Sequence, residues 1–171
     1  MLTLQRSPAI ADRRSASNAR PARLDSDRLY LERYWLDEQT VATRLAHLAH
    51  EKTSITDEQC RQVLDEVQET IQRPHFQLDE FQVDAVRAAV THNVSVLSGG
   101  PGTGKTTMVC IILAVLASAD PHLGRIALSA PSGKAASRLR DAVTNTSPAL
   151  GLKPLPTASQ ATTVHSLLGW Q

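Results

Sequence analysis

Apolar residues recur at helical spacing over several stretches of this chain and gather into short continuous runs between them. Residues 1–27 show neither pattern; Ser, Ala, Arg and Pro dominate, and the stretch reads as a flexible tail. Residues 29–73 read as helical. Leu36, Val41, Leu45 and Leu48 mark one apolar stripe. Cys60, Val63, Leu64, Val67 and Ile71 mark a second, opened by a capping box from Thr56 to Gln59 and closed ahead of Pro74. The second stripe needs a surface to bury against, and the first can supply it.

From Leu78 the pattern alternates. Asp79 is placed to cap a helix striped by Phe81, Ala85, Val86, Ala89 and Val90. Residues 94–97 read as a strand, residues 104–118 as a helix, and residues 125–130 as a second strand ended by Pro131. A further helix opens near Gly133, and residues 144–159, with little periodicity, read as a loop. Strand, helix and parallel strand make a βαβ unit, so the fold class is α/β.

Between the 94–97 run and its following helix lies Gly99-Gly100-Pro101-Gly102-Thr103-Gly104-Lys105-Thr106-Thr107. Gly99, four residues, then Gly104-Lys105-Thr106 is the Walker A spacing. Its glycines let successive backbone N–H groups face one concavity that holds anionic oxygens. A helix beginning there adds the positive end of its dipole. The bland alternative is a glycine-rich turn that binds nothing; glycines, lysine, hydroxyl, strand and helix together weigh against it. ATP and magnesium are the expected cofactors. Residues 99–107 would hold the nucleotide, Lys105 would reach the β/γ-phosphates, and the Thr106 hydroxyl would ligate the metal, making Lys105 and Thr106 the candidate catalytic groups.

The composition narrows the class without choosing a partner. With 18 Lys and Arg against 17 Asp and Glu, the formal net charge is +1, which neither argues for a nucleic acid nor against one. The longest apolar run, residues 108–119, falls short of the roughly 20 residues that span a bilayer, so a soluble protein without membrane contact is expected. Cys60 and Cys110 have no CxxC or Cys/His spacing and read as reduced core residues of a cytoplasmic protein. Arg6, Arg13, Arg14, Arg20 and Arg23 give the tail a superficial likeness to an organellar transit peptide; composition favours a disordered leader or a misassigned start.

Two other clusters have functional and plain readings. Ser132, Gly133 and Lys134 follow a predicted strand, where ligands gather in open α/β sheets, although an ordinary strand-to-helix turn with a solvated lysine explains them on chemistry alone. Thr162-Thr163-Val164-His165 sets hydroxyls and one histidine beside an apolar pair; such a histidine is more often a cap or packing residue than a catalyst.

Taken in order, GGPGTGKTT, APSGKAASRL and ATTVHSLLG resemble the Walker A, Ia and Ib motifs of the RecD family, the helicase subunits of bacterial exodeoxyribonuclease V. The run from Leu29 to Trp35, with Glu38 after it, resembles the stretch leading into that family's helical N-terminal region. The resemblance covers about residues 25–171. It implies a helical N-terminal region followed by an incomplete RecA-like P-loop domain, with a tail over 1–28, the helical part over 29–77 and the ATP-binding part over 78–171. It further implies that Gln82 reads adenine and that Ser132, Lys134, Thr163 and His165 grip the backbone of single-stranded DNA. The implied partners are that DNA and the other exodeoxyribonuclease V subunits, RecB and RecC. The implied work is 5′–3′ unwinding in double-strand break repair and recombination.

The departures set a second expectation. No strand ending in an Asp-Glu pair follows the third motif, and the second motor domain with its charge-stabilising arginine is not among these residues, so the polypeptide alone is expected to show negligible ATPase activity. The sheet strands that would lie between the loop-bearing strand and the next are missing too, leaving edges unpaired and stability marginal. The competing readings are a non-catalytic module whose residues 29–73 dock a partner while the nucleotide loop is vestigial, and a small nucleotide kinase or AAA-type ATPase. Against a kinase, no arginine-rich lid is visible.

Overall fold

The computed structural model describes residues 10–12, 21–71, 76–120, 126–153 and 161–169, which fall into two compact units, Met1–His50 and Glu51–Gln171. In the first unit, β1 (Ile10–Asp12) runs parallel to β2 (Ala22–Asp25), which pairs antiparallel with β3 (Arg28–Leu31), and α1 (Glu32–His50) follows. The stretch expected to be an irregular tail therefore contains β1 and β2. Ile10 and Leu24 are buried, while Arg23 lies inward opposite Glu32; strands of three and four residues carry too few apolar positions to register as an alternation. Arg6, Arg13, Arg14 and Arg20 lie outside the described residues. The start of the expected helical block is also strand, because Leu29, Tyr30 and Leu31 belong to β3.

The second unit is built around an apolar helix. Its elements are α2 (Asp57–Thr70), α3 (Glu80–Thr91), α4 (Lys105–Ala119), β4 (Ser129–Ala130), α5 (Gly133–Ala149), β5 (Thr162–Thr163) and α6 (Val164–Leu167). The expected capping box of Thr56 and Gln59 opens α2, and the expected Asp79 cap opens α3, where the structure adds Gln82 to make a second box. Helix α4 buries Met108, Cys110, Ile111, Leu113 and Val115, and α2, α3 and α5 all pack on it. The stripe Cys60, Leu64, Val67 and Ile71 thus buries in the core shared with α3 and α4. An all-round apolar helix offers every neighbour a surface, which outcompetes a single stripe. Phe81 departs from the expected α3 stripe and is 86% exposed; Val83 takes its place against the core.

The sheet is smaller than the pattern suggested. Residues 94–97 have no ladder partner among the described residues, and of residues 126–130 only β4 is strand, paired in parallel with β5 in the register Ser129–Thr162 and Ala130–Thr163. The expected βαβ unit is therefore not closed across residues 94–97 and β4. A groove of about 440 Å³ lies along the unpaired segment, bordered by Ala85, Ala89, Val109, Ile112 and Leu113. Where a loop was expected from residue 144, α5 continues to Ala149. Val143 and Ser147 face inward one turn apart. Gly151, at φ 77°, ends the helix, with Leu152 N donating to Ser147 O and Gly151 N to Pro148 O. That is a Schellman closure, and it satisfies the last carbonyls without needing an amide from Pro148. Residues 154–160 of the expected loop lie outside the described residues.

Candidate nucleotide site

Residues 99–104 form a loop that runs into the N-terminus of α4, whose first residues are Lys105, Thr106 and Thr107. Gly102 and Gly104 adopt φ of 77° and 75°, the left-handed region that glycine enters without strain. Gly99 is constrained differently, since a Cβ built there would stand 2.7 Å from Thr103 Oγ1. Thr103 Oγ1 donates to Gly100 O at 2.9 Å. Lys105 Nζ donates to Gly99 O at 2.7 Å and also to Gly100 O. An ammonium carries three donors, so one N–H remains for an anion.

The helix end is equally suggestive. Thr56, Asp79, Ser132 and Thr163 each accept a backbone N–H at the start of α2, α3, α5 and α6. Gly104, the N-cap of α4, makes no side-chain cap bond. The first-turn amides of α4 are therefore left to a ligand or solvent, and they carry the positive end of a dipole. Pro101 is the one residue of the loop without an N–H to offer. The donors of a phosphate cradle are all present, and the half-buried Lys105 and Thr106 stand at its helical side. Nucleotide and magnesium fit this donor set.

Gln82 belongs to α3, which packs directly on α4. Its Oε1 accepts from Asp79 N at 3.1 Å, while its own N–H donates to Asp79 Oδ1 at 2.8 Å. The capping box holds this amide at the helix start and leaves both Nε2 protons as donors. The Ia and Ib candidates come together on the small parallel sheet. Because Ala130 is level with Thr163, the chain leaves both strands on the same side, through Ser132 into α5 and through Thr163 into α6. Ser132 Oγ accepts from Ala135 N at 3.3 Å and Thr163 Oγ1 from Ser166 N at 3.1 Å, so each hydroxyl keeps its proton to donate. Lys134 and His165 are exposed beside them. Capping explains the two hydroxyls structurally and is compatible with phosphate contacts.

The spacing of the motif did not disclose the tie between Thr103 and the carbonyl of Gly100, because spacing carries no side-chain direction. Both cysteines are free and buried, and burial pushes each thiol pKa upward, so neither is a nucleophile of the site.

Residues 82–171 match the family described as AAA domain. The chain belongs to the AAA domain family. The matched span of the AAA domain begins at Gln82 and takes in the phosphate loop, the Ser132–Lys134 turn and the Thr163–His165 turn. Similarity extends further toward the N-terminus than the AAA domain itself. The RecBCD enzyme subunit RecD of Mycolicibacterium smegmatis is 39% identical over 155 residues, covering 86% of this chain and 26% of that protein. The subunit of the same name from Mycobacterium tuberculosis is 36% identical over 151 residues, covering 85% of the chain and 24% of that protein. An ATP-dependent RecD2 DNA helicase of Deinococcus radiodurans is 36% identical over 93 residues. The likeness to RecD read from the motifs thus holds over most of the chain, and the chain spans about a quarter of the length of the RecD relatives it matches.

Proposed function

We propose that this chain is the N-terminal part of a RecD-type ATP-dependent 5′–3′ DNA helicase of an exodeoxyribonuclease V assembly, acting in double-strand break repair and recombination, with Mg–ATP bound by residues 99–107. The observation that carries the reading is the loop itself. Lys105 commits two donors to Gly99 and Gly100 and retains a third, above a helix start that has no side-chain cap. Magnesium, held by the Thr106 hydroxyl, would neutralise phosphate charge there. The chain's own residues do the holding: the amides of the loop and the first α4 turn bind the phosphates, Lys105 orients them, and the Thr106 hydroxyl oxygen would ligate the metal. Gln82 donates from Nε2 toward an adenine ring. Ser132, Lys134, Thr163 and His165 contact the phosphates of single-stranded DNA. In this reading residues 29–77 form the helical part and 78–171 the RecA-like part; RecB and RecC are partners, the membrane is not, and the compartment is the cytoplasm.

Titration of fluorescent ADP with magnesium into the purified chain, beside Lys105→Ala, tests the reading. Saturable binding that the substitution abolishes supports it; no binding by either protein overturns it. A second reading, a partner-docking module with a vestigial loop, draws on the exposed Leu29, Leu31, Val41 and Leu45 of β3 and α1.

A further inference from the structure

We propose that Thr103 is the positioning residue of the phosphate loop: its hydroxyl fixes the Gly100 carbonyl, and through it the ammonium of Lys105. A carbonyl oxygen has two lone pairs, and at Gly100 one receives Thr103 Oγ1 at 2.9 Å and the other Lys105 Nζ. With both lone pairs engaged, the Gly100–Pro101 peptide plane is held from two sides. Lys105 also reaches Gly99 O at 2.7 Å, so its head is anchored at two points and its remaining donor has one direction. The same side chain explains the glycine before it. A Cβ on Gly99 would meet Thr103 Oγ1 at 2.7 Å and Thr103 Cβ at 3.6 Å; only the first is a clash. Position 99 is therefore glycine because the Thr103 oxygen occupies the space, not because of backbone strain. Gly100 sits against Thr103 Cγ2 at an ordinary 3.8 Å. The amino-terminal half of the loop is thus shaped by two side chains from its carboxyl-terminal half, Thr103 and Lys105. Replacing the hydroxyl leaves the loop to be ordered when an anion arrives, which lowers affinity.

The test has two arms. The first rests on the reading that the loop binds nucleotide and measures Mg–ADP affinity. Thr103→Val, equal in shape and lacking the hydroxyl, should weaken binding about tenfold, as expected for one hydrogen bond near 1.4 kcal/mol. Thr103→Ser should stay within about threefold of the parent, the rescue that a merely space-filling role would not give. The second arm needs no nucleotide: amide hydrogen exchange of residues 99–105, followed in Thr103→Val, Thr103→Ser, Gly99→Ala, Thr103→Ala and the double Gly99→Ala/Thr103→Ala. Exchange should accelerate several-fold in Thr103→Val and not in Thr103→Ser. Gly99→Ala should perturb the loop strongly beside threonine and add little beside alanine. Parental exchange in Thr103→Val, or an equal effect of Gly99→Ala in both backgrounds, overturns the inference. Absence of nucleotide binding by the parent, with the exchange results as expected, overturns the functional reading alone.

Discussion

Arg23 and Glu32 form a buried two-bond ion pair, with Arg23 Nε donating to Glu32 Oε2 at 2.8 Å and Nη2 to Oε1, both side chains less than a tenth exposed. The guanidinium also lies 4.1 Å from the ring centroid of Trp35, whose Nε1 donates to Asp25 Oδ2. The pair ties β2, which also ladders with β1 and β3, to the first residue of α1. The Arg23 hydrogen bonds hold the Glu32 carboxyl below its ordinary pKa; burial opposes the shift, and the Arg23 charge adds to it.

A carboxyl with a depressed folded pKa stabilises the fold above its unfolded pKa of about 4.3, and that contribution is lost as pH falls through the lower folded value. Acid unfolding of the first unit, followed by Trp35 fluorescence, should therefore steepen below about pH 4 in the parent chain. In Glu32→Gln this part of the pH dependence should disappear. Arg23→Ala, which leaves the carboxylate buried without its partner, should cost about 3 to 5 kcal/mol in urea unfolding at neutral pH. An Arg23→Ala chain as stable as the parent would show that the pair does not hold β2 to α1.

Cys60 and Cys110 are 1% and 0% exposed, and desolvation leads the upward shift of both thiols. Asp57 pushes Cys60 further up, partly offset by Arg87, while the Cys110 thiol donates to Val143 O at 3.9 Å. The thiolate fraction at pH 8 is therefore small, and access requires opening of the core. Both cysteines should stay unlabelled by a thiol reagent in the native chain at pH 8. Both should react in urea, at a rate tracking unfolding. Fast native labelling of either one would mean that the core around α4 opens readily, the behaviour expected of a loosely packed unit.

Gly151 ends α5 in the left-handed conformation, and no side chain makes that φ of 77° favourable. Gly151→Ala should cost about 1 to 2 kcal/mol in thermal or urea unfolding. Pro148→Ala should change stability by less, because the terminal carbonyls already receive Gly151 N and Leu152 N. The reverse order would show that the proline, not Gly151, sets the end of α5.

The legible parts of this chain were those where local chemistry and tertiary context agree. The Thr56–Gln59 capping box, the Asp79 cap, the glycine positions of the loop and the long apolar α4 each announce themselves within a few residues. The Ala130–Thr163 pairing does not, because two-residue strands have no period and their partner lies more than thirty positions away. Arg23 was read as a tail cation because nothing local shows that Glu32 will enclose it. The last turn of α5 reads as loop because residues 144–149 show little apolar periodicity, although Gly151 stands where a helix can close. Residues 94–97 have strand chemistry without a ladder partner among the described residues, since pairing is a property of neighbours and not of the segment.

Gly104 and Gly99 should fail in different ways when substituted, and the contrast tests how the loop is built. At Gly104 nothing stands within 4 Å of an added Cβ, so the obstacle is the φ of 75° alone. Gly104→Ala should cost about 1 to 2 kcal/mol, and Gly104→Asn should recover part of it, because asparagine tolerates the left-handed region. At Gly99 the obstacle is the Thr103 oxygen, so asparagine there should be no better tolerated than alanine. Measuring the unfolding free energy of all four variants without ligand decides the matter. Recovery by asparagine at 104 and not at 99 fits a loop with one backbone-limited and one space-limited glycine. Recovery at both positions would mean that Thr103 does not occupy the space beside Gly99 in solution.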